Sequence, residues 1–259
     1  MTDDKNRRQI LFDIGASDSD IDALLEYTKN AFQSKPEQQP DEELSPSWQA
    51  MLERINDTCK NTPVIEMFPS VAGKIPIVYP KDTGDFERIL REIVYKGKDV
   101  PNLQNMGASF VSGKTLRFIV LSDKPYSGIP AEEMGLPDSC WATKSLIIRK
   151  YHECAHYYTK RFLGSSRNNL HDELIADFCG IYAAFGEYHA KYFIAFFSNR
   201  LELYTKGLSA EAAGIIYKIA DKAAFEIEAW TKTPEFEKLS DAQRIDYLAG
   251  RELLAYFDK

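Results

Sequence analysis

The sequence predicts an α+β fold: a small mixed or antiparallel sheet followed by a mainly helical C-terminal half. Strand-like runs are confined to residues 62–124, whereas from residue 139 onward the helical pattern is almost continuous. A sheet region followed by a run of helices is the pattern of α+β chains. With 259 residues and 44% hydrophobic content, the chain is long enough to bury a sizeable core.

Each element can be justified in turn. Around residues 18–33, "DSDIDALLEYTKNAF" places acidic capping residues before apolar positions at helical spacing, predicting a short helix. "QSKPEQQPDEELSP" (33–46) has the Pro- and Glu-rich composition of an exposed linker. Residues 1–45 therefore read as a helical segment plus polar linker, and 46–259 as the main domain. "SPSWQAMLERIND" restarts a helix, with Ser45 as cap and Pro46 in the first turn.

Beyond it, "KIPIVYP" (74–80) reads as a strand and "GDFERILREIVYKG" (84–97) as an amphipathic helix. "GASFVSGKTLRFIVLSD" (107–123) reads as two strands joined near Ser112-Gly113. "KPYSGIPAEEMGLPD" is loop by its Pro and Gly content. Helices are expected near 141–163, 169–185, 188–204, 209–231 and 240–257, several opened by Ser or Asn.

The net charge is −7, and no long run of Lys or Arg appears. A nucleic-acid groove and an anionic membrane surface are therefore poor partners for this chain. No stretch approaches the roughly 18 apolar residues of a spanning helix. The N-terminus "MTDDKNRRQILFDIGAS" lacks an apolar leader, and Cys59, Cys140, Cys154 and Cys179 form no CxxC pair. The expected setting is the cytoplasm, with reduced thiols.

One stretch carries chemistry: "KYHECAHYYTKRFLG" (150–164), which holds two of the four histidines. On a helix, residues four apart lie about 40° apart on one face. His152 and His156 can thus aim a ring nitrogen at one point, as tetrahedral zinc requires. Glu153, about 100° around from His152, would flank such a metal, where a water could be held. Apolar Leu146, Ile147, Tyr151, Ala155, Tyr158 and Phe162 mark the expected buried side, with the histidines near its boundary.

Two histidines leave zinc short of ligands, so a third is expected on the next element. In "SSRNNLHDELIADFCGIYAAFGEY" (165–188), Asn168 or Asn169 can cap a helix whose first turn carries Asp172 and Glu173. A short connection favours antiparallel helices. Glu173 and Asp177 share a face with Ala176 and Gly180, small residues that permit close approach. Glu173 is placed as the third ligand. Asp177 is placed to accept the spare N–H of a metal-bound histidine, assigned as His152.

His152-Glu153-Cys154-Ala155-His156 followed by Glu173-Leu174-Ile175-Ala176-Asp177 resembles the gluzincin group of zinc metallopeptidases. Metzincins are excluded, since their longer motif needs glycine and histidine where this chain has Thr159 and Phe162. The resemblance covers about 30 residues. It implies a zincin-like active-site helix, Zn2+ as cofactor, and hydrolysis of an amide bond in a peptide or protein substrate. Zinc would polarise the carbonyl and lower the pKa of water, while Glu153 would act as general base. Substrates of such enzymes lie along an edge strand beside the active helix; "TLRFIVL" is the candidate. For the oxyanion, Tyr182, Tyr188, His189 and Tyr217 are all candidates, although aromatic-rich helices are more often core.

Other readings stay open. His171 could serve as third ligand, but it lies about 200° around the helix from Glu173. Arg167 could clamp a substrate carboxylate. Cys154 and Cys179 read as buried packing residues. Two histidines and a carboxylate also describe non-heme iron sites that oxidise substrates, and a structural metal in a non-catalytic binding protein is a third possibility.

Overall fold

The computed structural model of the chain describes residues 4–30, 32, 46–113, 116–164 and 169–257. Ser45 and nearly all of the expected 33–46 linker lie outside those residues. In chain order, α1 (Asp4–Asp13), α2 (Ile21–Tyr27) and α3 (Pro46–Thr58) precede strands β1 (Val64–Ser70) and β2 (Gly73–Tyr79). Helix α4 (Thr83–Arg88) runs into a π-helical stretch (Ile89–Val94), and β3 (Ala108–Ser112) and β4 (Arg117–Leu121) complete the sheet. There follow α5 (Asp138–Leu163), α6 (Leu170–Phe185), α7 (Ala190–Ser198), α8 (Leu201–Tyr204), α9 (Ala210–Trp230), α10 (Pro234–Glu237), α11 (Asp241–Gly250) and a closing 3-10 turn, Leu253–Phe257. The fold is α+β, with a mixed sheet in the N-terminal half and a mainly helical C-terminal half.

The chain divides into two compact units, Gln38–Tyr158 and Met1–Glu37 with Thr159–Lys259. The division falls inside α5, a single continuous helix.

In the first unit the sheet order is β1-β2-β4-β3. Two antiparallel hairpins, β1/β2 and β3/β4, meet through a parallel β2/β4 pairing that registers Ile77 with Ile119 and Val78 with Val120. β4 thus has partners on both sides, which corrects the expectation that "TLRFIVL" is an exposed edge; the edges are β1 and β3. Its unbroken apolar run is the mark of a strand buried on both faces. β1 escaped the sequence reading because, as an edge strand containing Pro69, it is only half-buried along its length.

Successive residues of a strand point to opposite faces, and this sheet uses both. Val78, Phe118 and Val120 pack on one face with Trp48 and Ile55 of α3 and with Phe86, Ile89, Leu90 and Ile93. The opposite face receives α5. Tyr151 meets Phe68 of β1 edge-on, and Lys150 reaches Glu66 at 3.6 Å. At the other edge Tyr157 packs on Phe110 and accepts a hydrogen bond from Arg117 at 3.2 Å. The buried stripe of α5 is Trp141, Ser145, Ile148, His152, Ala155 and Thr159, spaced alternately four and three residues apart as one helix face requires. This corrects the expected face in part, since Ala155 and Tyr158 are buried as expected. Tyr151 and Phe162 are 37% and 40% exposed, and His152 lies within the stripe. Apolar residues alone mislead here because the stripe carries polar side chains that find partners.

In the second unit, α6 opens with the Asn169 side chain accepting from the backbone N–H groups of His171 and Asp172. It closes at Gly186, whose φ of 77° is the left-handed conformation glycine adopts without cost. Ser209 and Ser240 cap α9 and α11, the latter through a reciprocal box with Gln243. α9 packs against α6, α7 and the closing 3-10 turn, and α11 against α6. The N-terminal helices belong to this unit: Tyr27 accepts from the Leu170 N–H, Lys218 donates to the Ile14 carbonyl, and Asn30 to that of Ala249.

Among the described residues, no helix is long and apolar enough to cross a membrane.

Candidate metal centre

The site starts from α5, which carries both histidines through its buried stripe. Their Nε2 atoms face each other at 3.0 Å, with the rings edge to face at 85°. Two nitrogens held by one tetrahedral zinc stand about 3.3 Å apart, given bond lengths near 2.0–2.1 Å. The observed separation is close to that span. On the far side of the ring, Nδ1 of His152 meets the Tyr126 hydroxyl at 2.8 Å. If Nε2 is to offer its lone pair, Nδ1 must carry the proton and donate it to the tyrosine oxygen.

The carboxylates come from α6. Glu173 and Asp177, one turn apart, are 2% and 0% exposed. Arg200, just beyond α7, donates to Oε2 of Glu173 at 3.2 Å and forms a short ion pair with Oδ2 of Asp177. The Tyr204 hydroxyl also donates to Oε2 of Glu173, at 2.7 Å. Burial, together with the adjacent Glu173 charge, pushes the Tyr204 hydroxyl well above its ordinary pKa. The end of α5 is tied to the start of α6 by Thr159, which donates to Asp172 Oδ1 at 2.9 Å.

His152, His156 and Glu173 each bring one ligand atom into a group whose members lie within 4.8 Å of one another. Two imidazoles and a carboxylate are the donor set that zinc takes in catalytic sites, so these residues fit the ion. Glu153 stands half-buried beside them on α5. Among the described residues no hydrogen bond or ion pair engages its carboxylate.

The remaining sequence-predicted residues stand as follows. The Tyr126 hydroxyl stands at Nδ1 of His152, and Asp177 forms an ion pair with Arg200. His171 lies outside the group, as its position on α6 requires. It is fully buried, Nε2 donates to the Leu248 carbonyl at 3.1 Å, and burial lowers its pKa. Tyr182 packs with Phe178 and Phe236, about 180° around α6 from Glu173. Tyr188 is buried against Phe178, and its hydroxyl has no hydrogen-bond partner among the described residues. His189 sits ahead of α7 beside Glu187 and Tyr192, and Tyr217 is half-buried on α9. Arg167 lies outside the described residues. Cys154 is a buried thiol pushed up to about 12 by burial and by the nearby Glu153. Cys179 is half-buried on α6.

Tyr126, Arg200 and Tyr204 were missed by sequence reasoning. Each reaches its partner from 26 to 31 residues away, and no motif announces them. The one hint was tyrosine in an otherwise Pro- and Gly-rich loop.

A fold and a buried donor group of this kind define a candidate metalloprotein. The chain belongs to a family described as a family of unknown function (DUF7005), whose match spans residues 114–254, more than half its length. The matched stretch takes in all three donors and Glu153. No curated protein and no solved structure matches the chain.

Proposed function

We propose that this chain is a metal-dependent hydrolase of gluzincin type, cleaving amide bonds in a peptide or protein substrate. The observation that carries this reading is the grouping of His152, His156 and Glu173, with Glu153 next to His152 on α5. Zn2+ held by those three would supply the Lewis acidity that polarises a scissile carbonyl and acidifies water. The role of Glu153 is to take a proton from the attacking water and deliver it to the leaving nitrogen. Its half-buried carboxylate, free of competing hydrogen bonds among the described residues, suits that task. Arg200 and Tyr204 hold the ligand carboxylate in one orientation. A cytoplasmic setting belongs to the same proposal and is supported by four cysteines that are all free thiols.

The test is metal content and proteolysis on the purified full chain. Wild type and Glu153→Gln are expected to retain near-stoichiometric zinc, with cleavage of a mixed peptide library by wild type alone. Bound iron with oxygen-dependent product would replace hydrolysis by oxidation. Equal cleavage by the Glu153→Gln variant would remove that residue as general base.

A further inference from the structure

Glu173 is the fourth residue of α6, in the turn where a helix frays first because its opening N–H groups have no intrahelical acceptor. In α6 those groups are all met. Asn169 takes the N–H groups of His171 and Asp172 with its side chain, and that of Glu173 with its carbonyl at 3.1 Å. The remaining one, on fully buried Leu170, donates at 3.1 Å to the hydroxyl oxygen of Tyr27. That acceptor comes from a point 143 residues earlier in the chain.

Tyr27 closes α2, whose end is fixed by α1. Arg7, 6% exposed, donates to the Leu25 carbonyl at 2.8 Å and to the Thr28 hydroxyl at 3.1 Å. That hydroxyl donates in turn to the Leu24 carbonyl at 2.8 Å. A cation on the last carbonyls of a helix also complements its dipole. Two further ties follow within five residues. Asn30 donates to the Ala249 carbonyl at 3.0 Å, and its side-chain oxygen accepts from the Phe32 N–H at 2.8 Å. The Phe32 ring meets His171 edge-on, with centroids 4.8 Å apart. His171 donates to the Leu248 carbonyl, next to the one that Asn30 takes. The N-terminal arm therefore ends on the first turn of α6 and the last turn of α11, all within one compact unit.

We propose that Tyr27 is a positioning residue for Glu173: its hydroxyl oxygen completes the cap of α6, and the wound first turn keeps the carboxylate in the group with His152 and His156. The consequence for metal affinity rests on the hydrolase reading above; the consequence for the winding of α6 does not. Without the hydroxyl, the Leu170 N–H would face a phenyl ring and lose its acceptor, which favours opening of that turn. Opening moves Glu173 with its backbone, while Asp177, one turn further on, stays in place.

The experiment uses the full chain with three readouts. Amide hydrogen exchange follows α6 residue by residue, chelator competition gives Zn2+ affinity, and denaturant unfolding of the metal-free chain gives global stability. Tyr27→Phe keeps the ring and removes the acceptor. It is expected to speed exchange of the Leu170–Glu173 amides about fivefold, the factor that one helix-capping hydrogen bond commonly supplies. Zn2+ binding should weaken by a similar factor. Ile216→Val, a fully buried change on α9 with a comparable cost to stability, is expected to leave those amides and Zn2+ affinity as in wild type. Wild-type Zn2+ affinity in Tyr27→Phe overturns the proposal, as does an equal loss of affinity in Ile216→Val. Should wild type bind no Zn2+, the hydrolase reading fails, and unchanged exchange at Leu170–Glu173 in Tyr27→Phe would then overturn the cap.

Discussion

At the residue scale, the most consequential group besides the histidines is Arg200. Two carboxylates one helical turn apart, both buried, would repel each other strongly without a cation between them. Arg200 meets both, and its Nε is bonded to the Phe196 carbonyl at 3.2 Å. Removing one partner from a buried ion network costs about 3–5 kcal/mol, because the remaining charge stays uncompensated. Denaturant unfolding of metal-free Arg200→Met should show a loss of that size. Pairing it with Asp177→Leu should recover a good part. A loss below about 1 kcal/mol, the ordinary range for exposed pairs, would mean the two acids do not depend on the guanidinium.

At the element scale, α4 offers a test independent of the metal. Its N-terminus is capped by Asp82, whose side chain accepts from the Asp85 N–H. Asp85 is itself fully buried and accepts from the N–H groups of Lys60 and Asn61, just past α3, and from Arg88. Burial pushes its carboxyl up, but those hydrogen bonds and the arginine outweigh burial and hold it at about 2, below its ordinary 3.8. A carboxyl lowered on folding stabilises the native state above its unfolded pKa, and that contribution fades as pH falls through the folded value. Stability of the wild type should therefore decline between pH 4 and pH 2. Asp85→Asn should flatten this part of the stability–pH curve and lower stability at neutral pH. An unaltered slope would detach Asp85 from the acid response.

The same scale shows what was legible from sequence. The α5 and α6 boundaries, the β3/β4 hairpin and the shared helix face of His152 and His156 all depend on local periodicity, which a single chain displays. What could not be read was decided by partners distant in sequence. β1 exists because β2 pairs with it, although its own pattern is weak. Ser145, Arg149 and His152 of α5 are buried because a loop about 20 residues earlier supplies carbonyls and a hydroxyl. Helical spacing places a group on a face, and neighbours distant in sequence, as Arg200 is for Asp177, choose its partner.

At the scale of the whole molecule, the metal binding proposed above would be coupled to folding. An ion that binds only the native chain stabilises it by about 2.7 kcal/mol at a hundredfold excess over Kd. The most direct test of the central claim is zinc K-edge X-ray absorption on the zinc-loaded full chain, compared with Glu173→Ala. The account predicts about 2.0–2.1 Å scatterers, two of them imidazole and one a carboxylate oxygen, with the oxygen shell altered in the variant. Absence of bound zinc, or an identical spectrum in Glu173→Ala, would contradict it.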